Sequence, residues 1–174
     1  MKIDVSEDRF ALERKFSISR GSKTEAQVLT VTVTQGAFIC RGECVPYGRY
    51  GETLASVRAQ IEGITVDNRL ALQGVLPAGA ARNALDCALW DLEAKKSGKR
   101  VWEVAGLSKP KPIVTAFTLS LDAPEVMEEQ ARANAKRPVL KIKLGTPDDL
   151  PRLEAVRRGA PDAKLIVDAN EGWN

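Results

Sequence analysis

From Ile113 to Asp168 the chain alternates between two kinds of segment, and this rhythm restricts the fold more than any other feature. Residues 113–121, 139–144 and 164–167 read as strands. Residues 124–136 and 147–158 read as helices. Strand–helix–strand–helix–strand implies a parallel sheet or a (β/α) barrel. A complete eight-stranded barrel takes about 250 residues, and the stretch here is far shorter. Three parallel strands left open would expose a long unpaired edge. The expectation is therefore a truncated barrel, with the sequence breaking off at Gly172-Trp173-Asn174 in the loop after the third strand.

The first part of the chain has a different pattern. Residues 9–19 and 27–34 alternate polar and apolar side chains and are rich in β-branched or aromatic residues. Arg20 to Glu25 reads as the hairpin loop between them, and residues 36–44 as a third strand, giving an antiparallel meander. Residues 52–64 carry Leu54, Val57 and Ile61 at helical spacing. A longer helix follows, with Pro77 in its first turn and Ala81, Leu85, Ala88, Leu89 and Leu92 on one face. Gly98 stops it just after Lys95 and Lys96. Lys109-Pro110-Lys111-Pro112 reads as a linker. Residues 1–108 thus form an α+β domain, and residues 109–174 begin the βα series.

Composition removes several kinds of chemistry. The sequence has no histidine, so Ser-His-Asp, Cys-His and HExxH sites are excluded. Any acid–base group must be Lys, a carboxylate, Tyr or Cys. Cys40, Cys44 and Cys87 are odd in number and form no CxxC pair, which argues against a disulfide framework. A net charge of +3 without a basic run gives no nucleic-acid surface. The charged N-terminus lacks the apolar stretch of a signal peptide, and no run is long enough to span a membrane. The expected setting is a reducing cytoplasm.

The strand Leu140-Lys141-Ile142-Lys143-Leu144 carries the chemical signal. Side chains alternate across a strand, so Lys141 and Lys143 share one face and the three aliphatic residues the other. In a barrel the aliphatic face lies under the helices, and the lysines point inward near the C-terminal end, where barrel active sites lie. In an open two-layer sheet the same spacing gives a solvated lysine face. Asp168 and Asn170 are likewise two apart, at the end of the next strand. A carboxylate there suits Mg²⁺, which prefers oxygen ligands; an Asp that orders the following loop has the same signature. Together, paired lysines and a metal-binding carboxylate fit removal of a proton next to a substrate carboxylate. A divalent cation offsets the charge that develops, and a lysine accepts the proton. The ordinary lysine pKa of about 10.4 must fall for that, and neighbouring cations disfavour an ammonium.

Lys141-Ile142-Lys143 followed one βα unit later by Asp168-Ala169-Asn170 resembles the enolase superfamily, in its muconate-lactonizing-type subgroup. The helix segment Asn83-Ala84-Leu85-Asp86-Cys87-Ala88-Leu89-Trp90-Asp91-Leu92 is similar to that subgroup's hallmark helix. Three further stretches resemble the L-Ala-D/L-Glu dipeptide epimerase family. They are Ile18 to Ala26, Gly42 to Glu52 and Leu76 to Asn83. The resemblance implies an α+β capping domain followed by the first strands and helices of a TIM-type barrel. It implies a Mg²⁺-dependent isomerase that epimerises dipeptides by 1,1-proton transfer, in recycling of murein peptides. Lys143 would be the base on one face of the α-carbon, and Lys141 would sit beside it against the carboxylate. Asp168 would be the first metal ligand and Asn170 its support. Arg20 would pair with the glutamate side chain, and Thr118 would line the pocket. Asp86 and Asp91 read as structural anchors, and Trp90 as packing. The second base and the remaining ligands fall outside this sequence, so the chain by itself is expected to be inactive. Two alternatives remain: a cycloisomerase or dehydrating synthase on the same scaffold, and a non-catalytic binding module. The partner expected is a small dipeptide, with a homo-oligomer left open.

Overall fold

The computed structural model describes residues 1–147 and 149–173. Asp148, inside the helix expected from residue 147, and Asn174, where the sequence was expected to break off, lie outside the described residues. The chain forms two compact units. One comprises Met1–Phe10 and Ala26–Pro110, the other Ala11–Glu25 and Lys111–Asn174.

The first unit is a sheet covered by helices. Its sheet is built from β1 (Lys2–Ile18) and β2 (Gly21–Gln35), whose Ala11–Glu25 stretch belongs to the second unit, and from β3 (Phe38–Cys44), in the order β1-β2-β3. β2 and β3 are antiparallel, in a register that sets Leu29 against Cys44 and Gln35 against Phe38. Alternation along β2 buries Leu29, Val31 and Val33 and turns Thr30, Thr32 and Thr34 to the other face. Four helices follow: α1 (Leu54–Glu62), α2 (Arg69–Val75), α3 (Ala80–Ser97) and α4 (Val101–Val104). Thr53 and Ser56 form a capping box at the start of α1, and the Asn68 side chain caps α2. The thiols are free, with Cys40 and Cys44 in the core. Burial pushes the Cys44 thiol up to about 11.

Helix α3 starts later than Pro77 suggests. The Glu52 carboxylate accepts a hydrogen bond from Ala80 N (2.7 Å), satisfying a first-turn amide from a distant residue. Gly98 ends the helix in the left-handed conformation, as its sequence position indicates. Ala81, Ala84, Leu85, Ala88, Leu89 and Leu92 are buried, and the helix lies close on β3 because Gly42 has no side chain. Asp91 accepts hydrogen bonds from Arg41 N (3.1 Å) and Lys95 Nζ (2.7 Å), which joins the far end of α3 to β3. Trp90 lies beneath the Arg69 guanidinium, 3.6 Å from its ring centre.

The second unit carries β4 (Phe117–Leu119), α5 (Pro124–Ala133), β5 (Val139–Lys143), α6 (Asp149–Gly159) and β6 (Lys164–Asp168). Its strands are parallel, in the order β4-β5-β6. The first strand is shorter than expected. Ile113 and Val114 are exposed, and β5 pairs only with Phe117–Leu119. Leu119, Leu140, Ile142 and Leu144 pack against Met127 and Ala131 of α5 and Val156 of α6. Among the described residues, no helix is long and apolar enough to cross a membrane.

A Cβ at position 42 would overlap Ala84 O and come within 2.7 Å of Ala88 N, both backbone atoms of α3. Gly42→Ala is therefore expected to lower stability by roughly 2 kcal/mol or more through overpacking. Urea unfolding of the two proteins checks this.

Candidate active site

The site begins with the alternation of β5. Leu140 and Ile142 fill the core beneath the helices, so Lys141 and Lys143 take the opposite face. Lys143 is 7% exposed and is the one buried charged residue among those described. A buried ammonium needs a partner. The register of β5 and β6 sets Lys143 against Asp168. Asp168 Oδ2 lies 2.7 Å from Lys143 Nζ and 2.7 Å from Lys141 Nζ. Its other oxygen accepts a hydrogen bond from Asn170 N (2.9 Å). The Lys141 and Lys143 ammonium groups, then the Asn170 amide, hold the Asp168 carboxyl well below the usual carboxylate range; burial opposes them and is outweighed. The Phe16 ring closes one side of the cluster, 6.0 Å from Lys143 Nζ.

Asn170 reaches the site differently from the way its spacing suggests. β6 ends at Asp168, and Asn170 (φ 49°) and Glu171 (φ 63°) both take the left-handed conformation. Asn tolerates that conformation; for Glu it costs roughly 1–2 kcal/mol. The turn brings the Asn170 amide back onto Asp168. The Asn170 side-chain oxygen Oδ1 is buried and has no hydrogen-bond partner.

The tip of the β1–β2 hairpin meets these strand ends. Its turn is only Ser19 and Arg20, shorter than the loop expected from Arg20 to Glu25, because Gly21 already begins β2. Ser17 N donates to Ser120 Oγ (2.7 Å), and Leu121 N donates to Ser17 O (3.1 Å). The Ser19 hydroxyl donates to Ala169 O (3.1 Å). Arg20 pairs with Glu171, Nη1 to Oε2, at 2.6 Å. Thr118 pairs with Lys141 in the β4–β5 register and lines a cavity of about 690 Å³ with Phe16, Phe117 and Ser120.

Lys141, Lys143, Asp168 and Asn170 therefore form one cluster, with Arg20 at its rim and Thr118 on the neighbouring strand. Gly145, Ser19 and Phe16 belong to the same neighbourhood and were not singled out from sequence. Gly145 (φ 118°) allows the loop after β5 to approach Ala169 and Ser19, where a Cβ would lie 2.6 Å from Ala169 O. A glycine directly after a buried strand was the available signal.

Chemically, the cluster places two ammonium groups beside a carboxylate at the ends of adjacent parallel strands. Its acceptors, the Asp168 carboxylate and the unpartnered Asn170 carbonyl oxygen, are hard oxygen donors that suit a cation such as Mg²⁺. The described residues contain no cluster of three or more His, Cys, Asp or Glu that could complete such a site.

Residues 1–106 match the family model for the N-terminal domain of mandelate racemase and muconate lactonizing enzyme. The chain is 43% identical over 180 residues to an L-Ala-D/L-Glu epimerase of Escherichia coli, covering 98% of this chain and 56% of that protein. A solved structure of an enolase family member from Agrobacterium tumefaciens, with homology to dipeptide epimerases and with bound sodium and L-Ala-L-Glu, is 52% identical. It superposes with a TM-score of 0.92, covering 99% of this chain and 54% of that one. A dipeptide epimerase from Enterococcus faecalis, complexed with Mg and L-Leu-L-Tyr, is 28% identical with a TM-score of 0.86, covering 98% and 53%. The chain thus spans about half the length of the relatives it matches.

The depressed carboxyl of Asp168 stabilises the fold at any pH above the unfolded-state value of about 3.9 and ceases to do so as pH falls toward the folded value. Asp168→Asn is expected to flatten the acid limb of the stability–pH curve. At neutral pH it leaves Lys143 buried without its counter-charge, at a cost of roughly 3 kcal/mol. Urea unfolding between pH 3 and 7 reads both effects.

Proposed function

The chain belongs to the mandelate racemase/muconate lactonizing enzyme family, and on that premise we propose that the whole protein is an isomerase that epimerises L-Ala-D/L-Glu-type dipeptides. Its fold is that of the enolase superfamily, a capping domain and the opening strands of a barrel. We take residues 1–108 as the capping domain and residues 109–174 as the start of the barrel. The observation that carries the reading is the convergence of Lys141 and Lys143 on Asp168 at the ends of adjacent parallel strands.

In this reading Lys143 first loses a proton from its ammonium, and the neutral amine Nζ then takes the proton from the glutamyl α-carbon on one face. Its burial excludes water from that position, and β5 fixes its direction. Lys141 sets a positive charge against the substrate carboxylate. Asp168 would be the first ligand to Mg²⁺, with Asn170 supporting it by hydrogen bonds, and the bound ion would offset charge on the substrate carboxylate. Arg20 holds the carboxylate of the glutamyl side chain, a bidentate match for a guanidinium, and Glu171 yields its place there. Thr118 lines the pocket. The second base, on the opposite face, and the other metal ligands come from outside these residues. Turnover of murein peptides in the cytoplasm is the setting this substrate suggests.

Arg20 favours the epimerase over a cycloisomerase or dehydrating synthase, neither of which requires a cation for a glutamyl side chain. A non-catalytic role predicts no chemistry at all. The test uses the full-length protein with Mg²⁺ and L-Ala-L-Glu in D₂O, followed by ¹H NMR. Loss of the glutamyl α-proton signal supports the proposal. No exchange, with conversion of a cycloisomerase substrate instead, contradicts it. Arg20→Ala should raise KM for L-Ala-L-Glu by about tenfold or more, equivalent to about 1.4 kcal/mol, and leave KM for a dipeptide with a neutral C-terminal side chain unchanged.

A further inference from the structure

We propose that Asp149 is a positioning residue for this site, its carboxylate tying the loop after β5 to the loop after β6. The consequence for catalysis rests on the epimerase reading above; the tie itself does not. Asp149 opens α6, and an acidic residue in the first turn reaches back to the backbone amide of the residue that caps the helix. Oδ2 accepts from Gly145 N (2.8 Å) and Thr146 N (3.1 Å), and Oδ1 from Thr146 N (3.1 Å) and the Thr146 hydroxyl (3.2 Å). These are groups three and four residues before it, in the loop that leaves Lys143.

Arg152 Nη1, on the same helix, lies 3.9 Å from Asp149 Oδ1, and a further partner comes from the loop after the neighbouring strand. The Trp173 indole Nε1 donates to Asp149 Oδ2 at 2.7 Å, across 24 residues of sequence. Helix capping does not explain this bond. Trp173 lies in the loop that leaves Asp168, so one carboxylate holds both loops at the point where the Lys143–Asp168 pair ends. The Asp149 side chain is 14% exposed, which limits competition from water. Burial alone would raise its carboxyl, but the hydrogen bonds from Trp173, Gly145 and Thr146 bring it below the usual range. Two glycines make the approach possible. A Cβ on Gly172 would sit 2.8 Å from Gly145 Cα, and one on Gly145 would sit 3.2 Å from Gly172 Cα.

The test is Trp173→Phe in the full-length protein, which keeps an aromatic ring on an exposed residue and removes the indole donor with part of the ring. The Asn170 backbone amide, hydrogen-bonded to Asp168, reports the cluster by NMR whether or not the protein is active. The expected result is a shifted Asn170 amide resonance, kcat for α-proton exchange lowered about tenfold, and KM and Tm unchanged. An unmoved Asn170 resonance overturns the proposal. So does a fall in kcat that merely accompanies a fall in Tm. If the unaltered protein exchanges no dipeptide α-proton, the epimerase reading fails, and the Asn170 resonance alone decides the tie: a shift upholds it and no shift removes it.

Discussion

The buried ammonium of Lys143 and its bond to Asp168 fix how β5 and β6 pair in the second unit. An ammonium removed from water costs several kcal/mol unless it is paired, so β5 and β6 must align in the register that sets Lys143 against Asp168. A slip of one residue would turn the lysines under the helices and expose Leu140 and Ile142. Electrostatics and the hydrophobic core thus select the same register. The loops depend on it in turn: Leu144 N bonds to Asp168 O, and the Asn170 amide folds back onto the same side chain.

Close approach between backbones recurs in both units. In the first, Gly42 lets α3 lie directly on β3, with Ala84 and Ala88 as its neighbours. In the second, Gly159 lets α6 approach α5, where a Cβ would lie 2.9 Å from that of Ala131. Gly145 and Gly172 do the same for the two loops beside the Lys143–Asp168 pair. Tight packing of this kind limits alternative arrangements and so helps fix where the Lys143 nitrogen stands.

Much of this was legible in the sequence because it is local. The alternation of residues 140–144 gave the two faces of β5, and the change of rhythm after the Pro-rich linker gave the parallel strands. Other features depend on contacts between distant residues. Pro77 looked like a helix start, yet Glu52 moves the first turn to Ala80. Residues 113–116 have strand propensity, but β5 offers partners only from Phe117 onward. Asn170 shares a spacing with Asp168 but arrives through a left-handed turn rather than along the strand. Short helices such as α2, with one buried leucine, leave too few residues for a periodic signal. The bond between Asp149 and Trp173 leaves no local pattern at all.

In the proposed reaction Lys143 is the base on one face of the substrate. That role is tested most directly by Lys143→Ala in the full-length protein, with α-proton exchange in D₂O followed separately from L-Ala-L-Glu and L-Ala-D-Glu. Exchange from one epimer is expected to be abolished, because each face has its own base. Unchanged rates from both epimers would contradict that role.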